Sequence, residues 1–256
     1  MAEQHKSHIG IFIAIALGLC LLRQTPAFGI GDKTKFVLAQ LRYRGGNWNP
    51  RPTAPRRLLW EVIKRTSVDA QMEPVPVEPR APELFRCPLL YMAGDEAFDP
   101  FSEEEIETLR NYLRFGGTLL VDDAMGRPGG PFEAAVRREV KRIFPDLPLD
   151  PLPFDHTVFQ TFYLMREVPG RTLGSPQLLG VTEGDRTSVI YCGNDLGGAW
   201  AKDSIGNWEF DVIPGGEHQR ELAFRMGVNL VMYALCCNYK RDQVHIPFIL
   251  GRRRGR

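Results

Sequence analysis

The sequence predicts an α/β fold, a three-layer sandwich with a mostly parallel central sheet. Two observations carry this. Short apolar runs alternate with amphipathic helical segments along most of the chain, and each helix brings the chain back for another buried strand. Residues 36–43, FVLAQLRY, read as the first strand, and RGGNWNPRPTAP as a loop. Residues 56–67 read as an amphipathic helix with Leu58, Leu59, Val62 and Ile63 on one side. Residues 69–79 alternate and carry prolines, which marks an edge strand running into a loop. CPLLYMAG is a short apolar strand. Ser102 then caps a helix with Glu105 three residues on, acids in its first turn and Gly116 at its end. TLLVDDA is the next buried strand. Residues 129–145 form another helix, with Phe132, Val136, Val140 and Ile143 in register. Residues 148–176 are proline-rich and irregular, except that VFQTFYL (158–164) has the composition of a strand. Residues 178–192 predict a hairpin turning at 183–186, and residues 215–237 a long helix. Arg220, Glu221 and Arg225 exclude that helix from a membrane. One domain over residues 32–242 and a basic tail at 243–256 result.

Length and composition narrow the function classes. The 256 residues are enough for one ample core. A net charge of +1 gives no global field for nucleic acid. The N-terminus has the three-part layout of an export signal: Lys6, a continuously apolar run at 9–22, then small residues at Ala27 and Gly29. That run is short of the ~18–20 residues that span a bilayer comfortably. Residues 1–29 therefore read as a cleaved signal peptide, with an uncleaved anchor as the alternative. The expected location is the periplasm or cell envelope. Membrane contact is expected only through this segment or through the basic tail, GRRRGR. Beyond Cys20, the cysteines Cys87, Cys192, Cys236 and Cys237 sit in apolar company and are expected to be buried free thiols. Cysteine and histidine spacing predicts no metal site, and no cofactor is expected.

In open parallel sheets, ligands sit beyond the carboxyl ends of the strands. The residues there are polar. The first strand leads to Arg42, Arg44, Asn47 and Trp48, where guanidinium groups and an aromatic face can hold a carboxylate, phosphate or sugar; a tight turn is the plainer reading. The third leads to Asp95 and Asp99. The fourth ends in Asp122 and Asp123, which point to opposite faces, so only one can look into the crevice. The late strand leads to Asn194 and Asp195 within CGNDLGGAW. Asp155-His156 is an Asp-His pair in a loop, and His156 is a candidate acid or base. The candidate catalytic groups are thus Asp122, Asp123 and His156. The candidate ligand-binding groups are Arg42, Arg44, Asn47, Trp48, Asp95, Asp123, Asn194 and Asp195.

PLLYMAGDEAFDPFSEEEIETLRNYLRFGGTLLVDDA, LPFDHTVFQTFY and RYRGGNW resemble the bacterial family called domain of unknown function 4159. That family is similar in turn to the class I glutamine amidotransferase-like superfamily, flavodoxin-like in architecture, and to its ThuA-like branch. Glutamine amidotransferases place a cysteine in a Gly-x-Cys-x-Gly strand-to-helix elbow, with a His-x-Glu partner. The comparable elbow falls near residues 121–126, VDDAMG, where no cysteine stands. The resemblance therefore implies a non-catalytic module that binds an envelope protein or a small ligand. The alternative is a hydrolase or lyase of sugar-derived or cell-wall substrates, with Asp122 or Asp123 and His156 as acid and base and Trp48 or Trp200 stacking on the sugar.

Overall fold

The computed structural model describes the backbone of residues 35–253 and the side chains of residues 35–236. The predicted export segment at 1–29, Cys20, and the side chains of Cys237 and of the basic tail lie outside the described residues.

Seven strands form one mixed sheet. They are β1 (Leu38–Leu41), β2 (Val75–Val77), β3 (Leu89–Gly94), β4 (Thr118–Asp123), β5 (Asp150–Pro151), β6 (Leu179–Glu183) and β7 (Arg186–Cys192). Their spatial order is β2-β1-β3-β4-β7-β6-β5. The first five of that order run parallel; β6 and β5 are antiparallel additions through the β6–β7 hairpin. The helices are α1 (Ala54–Arg65), α2 (Glu103–Arg114), α3 (Pro131–Ile143), α4 (Leu196–Trp200) and α5 (Gly216–Arg253).

Strand alternation divides the core in two. Leu38, Leu89, Tyr91, Leu120, Ile190 and Cys192 face one side, where α1, α4 and α5 cover them. Ala39, Leu41, Leu90, Met92, Leu119, Val121 and Tyr191 face the other, beneath α2 and α3. Helices on both faces of this mixed, mainly parallel sheet are compatible with the predicted three layers.

Local signals place the helices. Ser102 accepts from the backbone of Glu105, and the Glu105 side chain accepts from the backbone of Ser102, a reciprocal cap worth about 1 kcal/mol. Gly116 takes φ 119 just past the end of α2, as the stop signal requires. Pro76 sits in β2, the outermost strand, where a missing donor costs least.

Four expectations need correction. VFQTFYL is not a strand: residues 157–159 make one 3-10 turn and the rest bends. Asn229 of α5 holds that bend, accepting from the backbone of Phe162 and Tyr163 and donating to the carbonyls of Val158 and Tyr163. Ile63 is 37% exposed, so the buried stripe of α1 stops at Leu58, Leu59 and Val62. Cys236 is exposed, whereas Cys87 and Cys192 are buried thiols as expected. The last helix continues through the predicted tail to Arg253. Among the described residues, no helix is long and apolar enough to cross a membrane.

Candidate functional site

β3, β4 and β7 end side by side, with Gly94 opposite Asp123 and Asp122 opposite Cys192. After β7 the chain turns sharply at Gly193-Asn194-Asp195 into α4. Asp195 makes the turn with φ 56 and ψ 65, the one non-glycine residue at positive φ among the described residues. Asp195 caps α4, its side chain accepting from Gly198 N–H, so a sharp strand-to-helix turn in a Gly-x-Asp-x-Gly frame stands here, similar in outline to a nucleophile elbow but with its side chain buried. This elbow-like turn spans residues 193–197. Residues 121–126, where the resemblance put it, hold the end of β4 and a loop that reaches Gly126 (φ 66) before α3 begins at Pro131.

The elbow is closed by the protein's own side chains. The N–H groups of Leu196 and Gly197, the two that follow Asp195, donate to the Asp122 carboxylate at 2.8 and 2.7 Å. The first is the group that would serve an oxyanion in a working elbow. The Tyr91 hydroxyl donates to the same carboxylate at 2.8 Å. Asp195 is 0% exposed. Its carboxylate accepts from Arg51 at 3.1 and 2.8 Å, from Gly198 N–H at 2.8 Å, and from Arg171. Arg51 also donates to the Ala124 carbonyl and lies 4.1 Å over the Phe210 ring. Gly197 and Gly198 are required by this closeness. A Cβ at Gly197 would stand 2.8 Å from the Tyr91 hydroxyl, and one at Gly198 would stand 2.3 Å from Asp195 Oδ2.

Electrostatics follow from burial. Asp122 is raised from 3.8 to about 7 by burial first and the neighbouring Asp195 charge second, against the pull of its three donors. Arg51 loses solvation, but its bonds to Asp195 and the charges of Asp195, Asp122 and Asp95 hold it above its ordinary value. Burial lifts the Cys192 thiol well above its ordinary range, so no thiolate forms at this edge.

Asp123 faces the other way. It accepts from the Tyr191 hydroxyl at 2.8 Å and from Met125 N–H at 2.9 Å, and burial raises its carboxyl. Asn194 spends its amide on the fold. It donates to the carbonyls of Val168 and Ser175 and accepts from Ser175 N–H, fastening residues 168–175 to the elbow.

A second feature lies where the loops after β1, β2 and β3 diverge. It is a cleft of about 900 Å³ whose lining includes Arg42, Arg44, Trp48, Glu78, Arg80 and Asp99. Arg42 stands over the Trp48 ring at 5.9 Å. Asn47, in the same loop, donates to Asp95 at 3.3 Å.

Residues 37–235 match the family model described as Domain of unknown function (DUF4159). The chain belongs to this family. No curated protein matches it.

The remaining predicted residues of this DUF4159 chain fall elsewhere. His156 caps the 3-10 turn, accepting from Val158 N–H at 3.2 Å through Nδ1, and its Nε2 bonds Thr187 at 2.9 Å. Thr187 is at the amino end of β7, five residues before Cys192, so His156 is roughly 15 Å from the strand ends at ~3.3 Å per residue. It is not brought to either aspartate. Trp200 is fully buried, with Nε1 donating to the Ala223 carbonyl at 2.9 Å, and offers no face to a sugar. Among the described residues, no three His, Cys, Asp or Glu side chains cluster as a metal site. Sequence reasoning missed Arg51 and Arg171, which come from a loop and a proline-rich stretch 144 and 24 residues from Asp195. The legible signal was the Gly193-x-Asp195-x-Gly197 frame after a strand.

Proposed function

We propose that this protein is a non-catalytic binding module of amidotransferase-like descent, exported to the periplasm or cell envelope, that takes a small ligand or partner group at the carboxyl edge of its sheet. One observation carries the reading. An elbow-like turn follows β7, but Asp122 fills the backbone donor pair after it and two arginines saturate Asp195, the residue where a nucleophile would stand. A reacting carbonyl has neither a nucleophile nor a free oxyanion donor there. The parallel order β2-β1-β3-β4-β7 supports flavodoxin-like descent, with β7 as the fifth strand. It also supports a ligand position. The strand order reverses between β1 and β3, and the 900 Å³ cleft opens at the loops that follow them. A hydrolase or lyase reading lacks its relay, because His156 stands at the opposite end of β7 from the aspartates. The test is a broad screen of esters, amides, glycosides and glutamine against the purified chain. The module reading expects no turnover above background. Turnover that disappears in Asp195→Asn overturns it.

A further inference from the structure

Resting on the binding-module reading, we infer that the cleft takes a free amino acid or short peptide of the lysine or diamino-acid class, with its carboxylate on Arg42 and its amines on the acids that line the same cleft.

The charge inventory of the cleft leads there. Arg44 is engaged by Glu105 at 3.5 Å, and Arg80 by Glu104 at 3.0 Å. Among the described residues Arg42 forms no salt bridge, and its guanidinium stands over the Trp48 ring. Glu78, Glu83 and Asp99 line the same cleft and form no salt bridge among the described residues. The cleft thus offers one uncommitted guanidinium against three uncommitted carboxylates. An anionic sugar or phosphate would meet net repulsion, and a simple cation would leave Arg42 unanswered. A ligand with one carboxylate and two amines matches both signs.

The backbone points the same way. Pro76, Pro79 and Pro100 line the cleft, and proline has no N–H to give an anion. Pro76 also removes a donor from the outer edge of β2, which argues against a longer peptide adding to the sheet as an extra strand. The volume suits a ligand of one to a few residues, within the ~300–1,000 Å³ of small-molecule sites.

Isothermal titration of the full chain at low salt tests this with lysine, lysine amide, glutamate and glucuronate. Lysine should bind saturably, and glutamate and glucuronate at least ~tenfold more weakly. Arg42→Gln should weaken lysine at least ~tenfold and leave lysine amide within about twofold, because the amide has no carboxylate for Arg42 to hold. Glu78→Gln combined with Asp99→Asn should weaken both. These side chains are exposed, and unchanged melting temperatures will show that the variants fold. Tighter binding of glutamate or glucuronate, lost in Arg42→Gln, overturns the ligand class and leaves the binding module standing. No saturable heat with any of the four up to about 10 mM overturns the ligand class as well. Failure of the module reading is registered separately, as turnover in the hydrolase screen.

Discussion

Replacing Asp122 with asparagine should remove a pH dependence from the stability of the fold. Asp122 is fully buried, and its carboxyl is raised from 3.8 to about 7. The folded state therefore holds this proton more tightly than the unfolded chain does. Its contribution is fully present below pH ~4 and is lost as pH rises through about 7. At ~1.4 kcal/mol per pH unit, the interval from 3.8 to 7 amounts to about 4 kcal/mol at most. No solvent discount applies, because the group is out of water. Asparagine cannot ionise, so the stability difference between wild type and variant should change by a few kcal/mol between pH 4.5 and 8. Titrating groups remote from Asp122 cancel in that difference, and Asp195, whose charge helps raise Asp122, contributes to it together with Asp122. The assay is urea unfolding by far-UV circular dichroism across this range, with equal m-values as the check on two-state behaviour. A difference constant to within ~0.5 kcal/mol at every pH would refute the raised carboxyl, since the interaction would then carry no proton linkage.

Other substitutions probe the rest of the edge. Gly198→Ala should destabilise by about 2–3 kcal/mol in urea melts, because its Cβ would stand 2.3 Å from an Asp195 oxygen that two arginines hold in place. Asp195→Asn keeps a residue tolerant of the left-handed turn but leaves Arg51 and Arg171 without their anion. Their side chains are 14% and 23% exposed, so the loss should be nearer 1–3 kcal/mol than the roughly 3–5 of a fully buried pair. His156→Ala should cost about 1 kcal/mol at pH 8 through the lost cap, and leave ligand binding at the far edge unchanged. Burial holds the His156 imidazole below its ordinary 6.5, so its contribution is present above that pH and lost as pH falls. The wild-type advantage over His156→Ala should therefore shrink in melts at pH 5.

What was legible in the sequence was what local physics writes there. The Ser102–Glu105 cap, the prolines of an edge strand, the β6–β7 hairpin and the helix spacings all act within a few residues, and each stands where expected apart from Ile63 and the end of the last helix. The opposite orientation of Asp122 and Asp123 is a consequence of strand alternation alone. What misled was non-local. VFQTFYL has strand composition, yet one asparagine about 66 residues away satisfies its backbone and bends it. Trp200 follows a polar turn, but α4 carries it inward beneath α5 to the Ala223 carbonyl. No pattern around Arg51 or Arg171 announces that both close on Asp195, because the folded sheet edge alone brings them together. The sharp turn after β7 was written in Gly193-x-Asp195-x-Gly197, where an aspartate tolerant of the left-handed region also caps the next helix.

The central claim is that Asp122 occupies the donor pair of the elbow. Asp122→Ala vacates that position while leaving the N–H groups of Leu196 and Gly197 in place, so a small carboxylate should replace the missing one. Thermal melts of wild type and Asp122→Ala in about 100 mM formate, against chloride at equal ionic strength, measure this directly. At a Kd of ~10 mM the variant should gain about 1.4 kcal/mol, roughly 2–4 °C, and the wild type nothing. Equal shifts in both proteins, or none in the variant, would contradict a donor pair filled by Asp122.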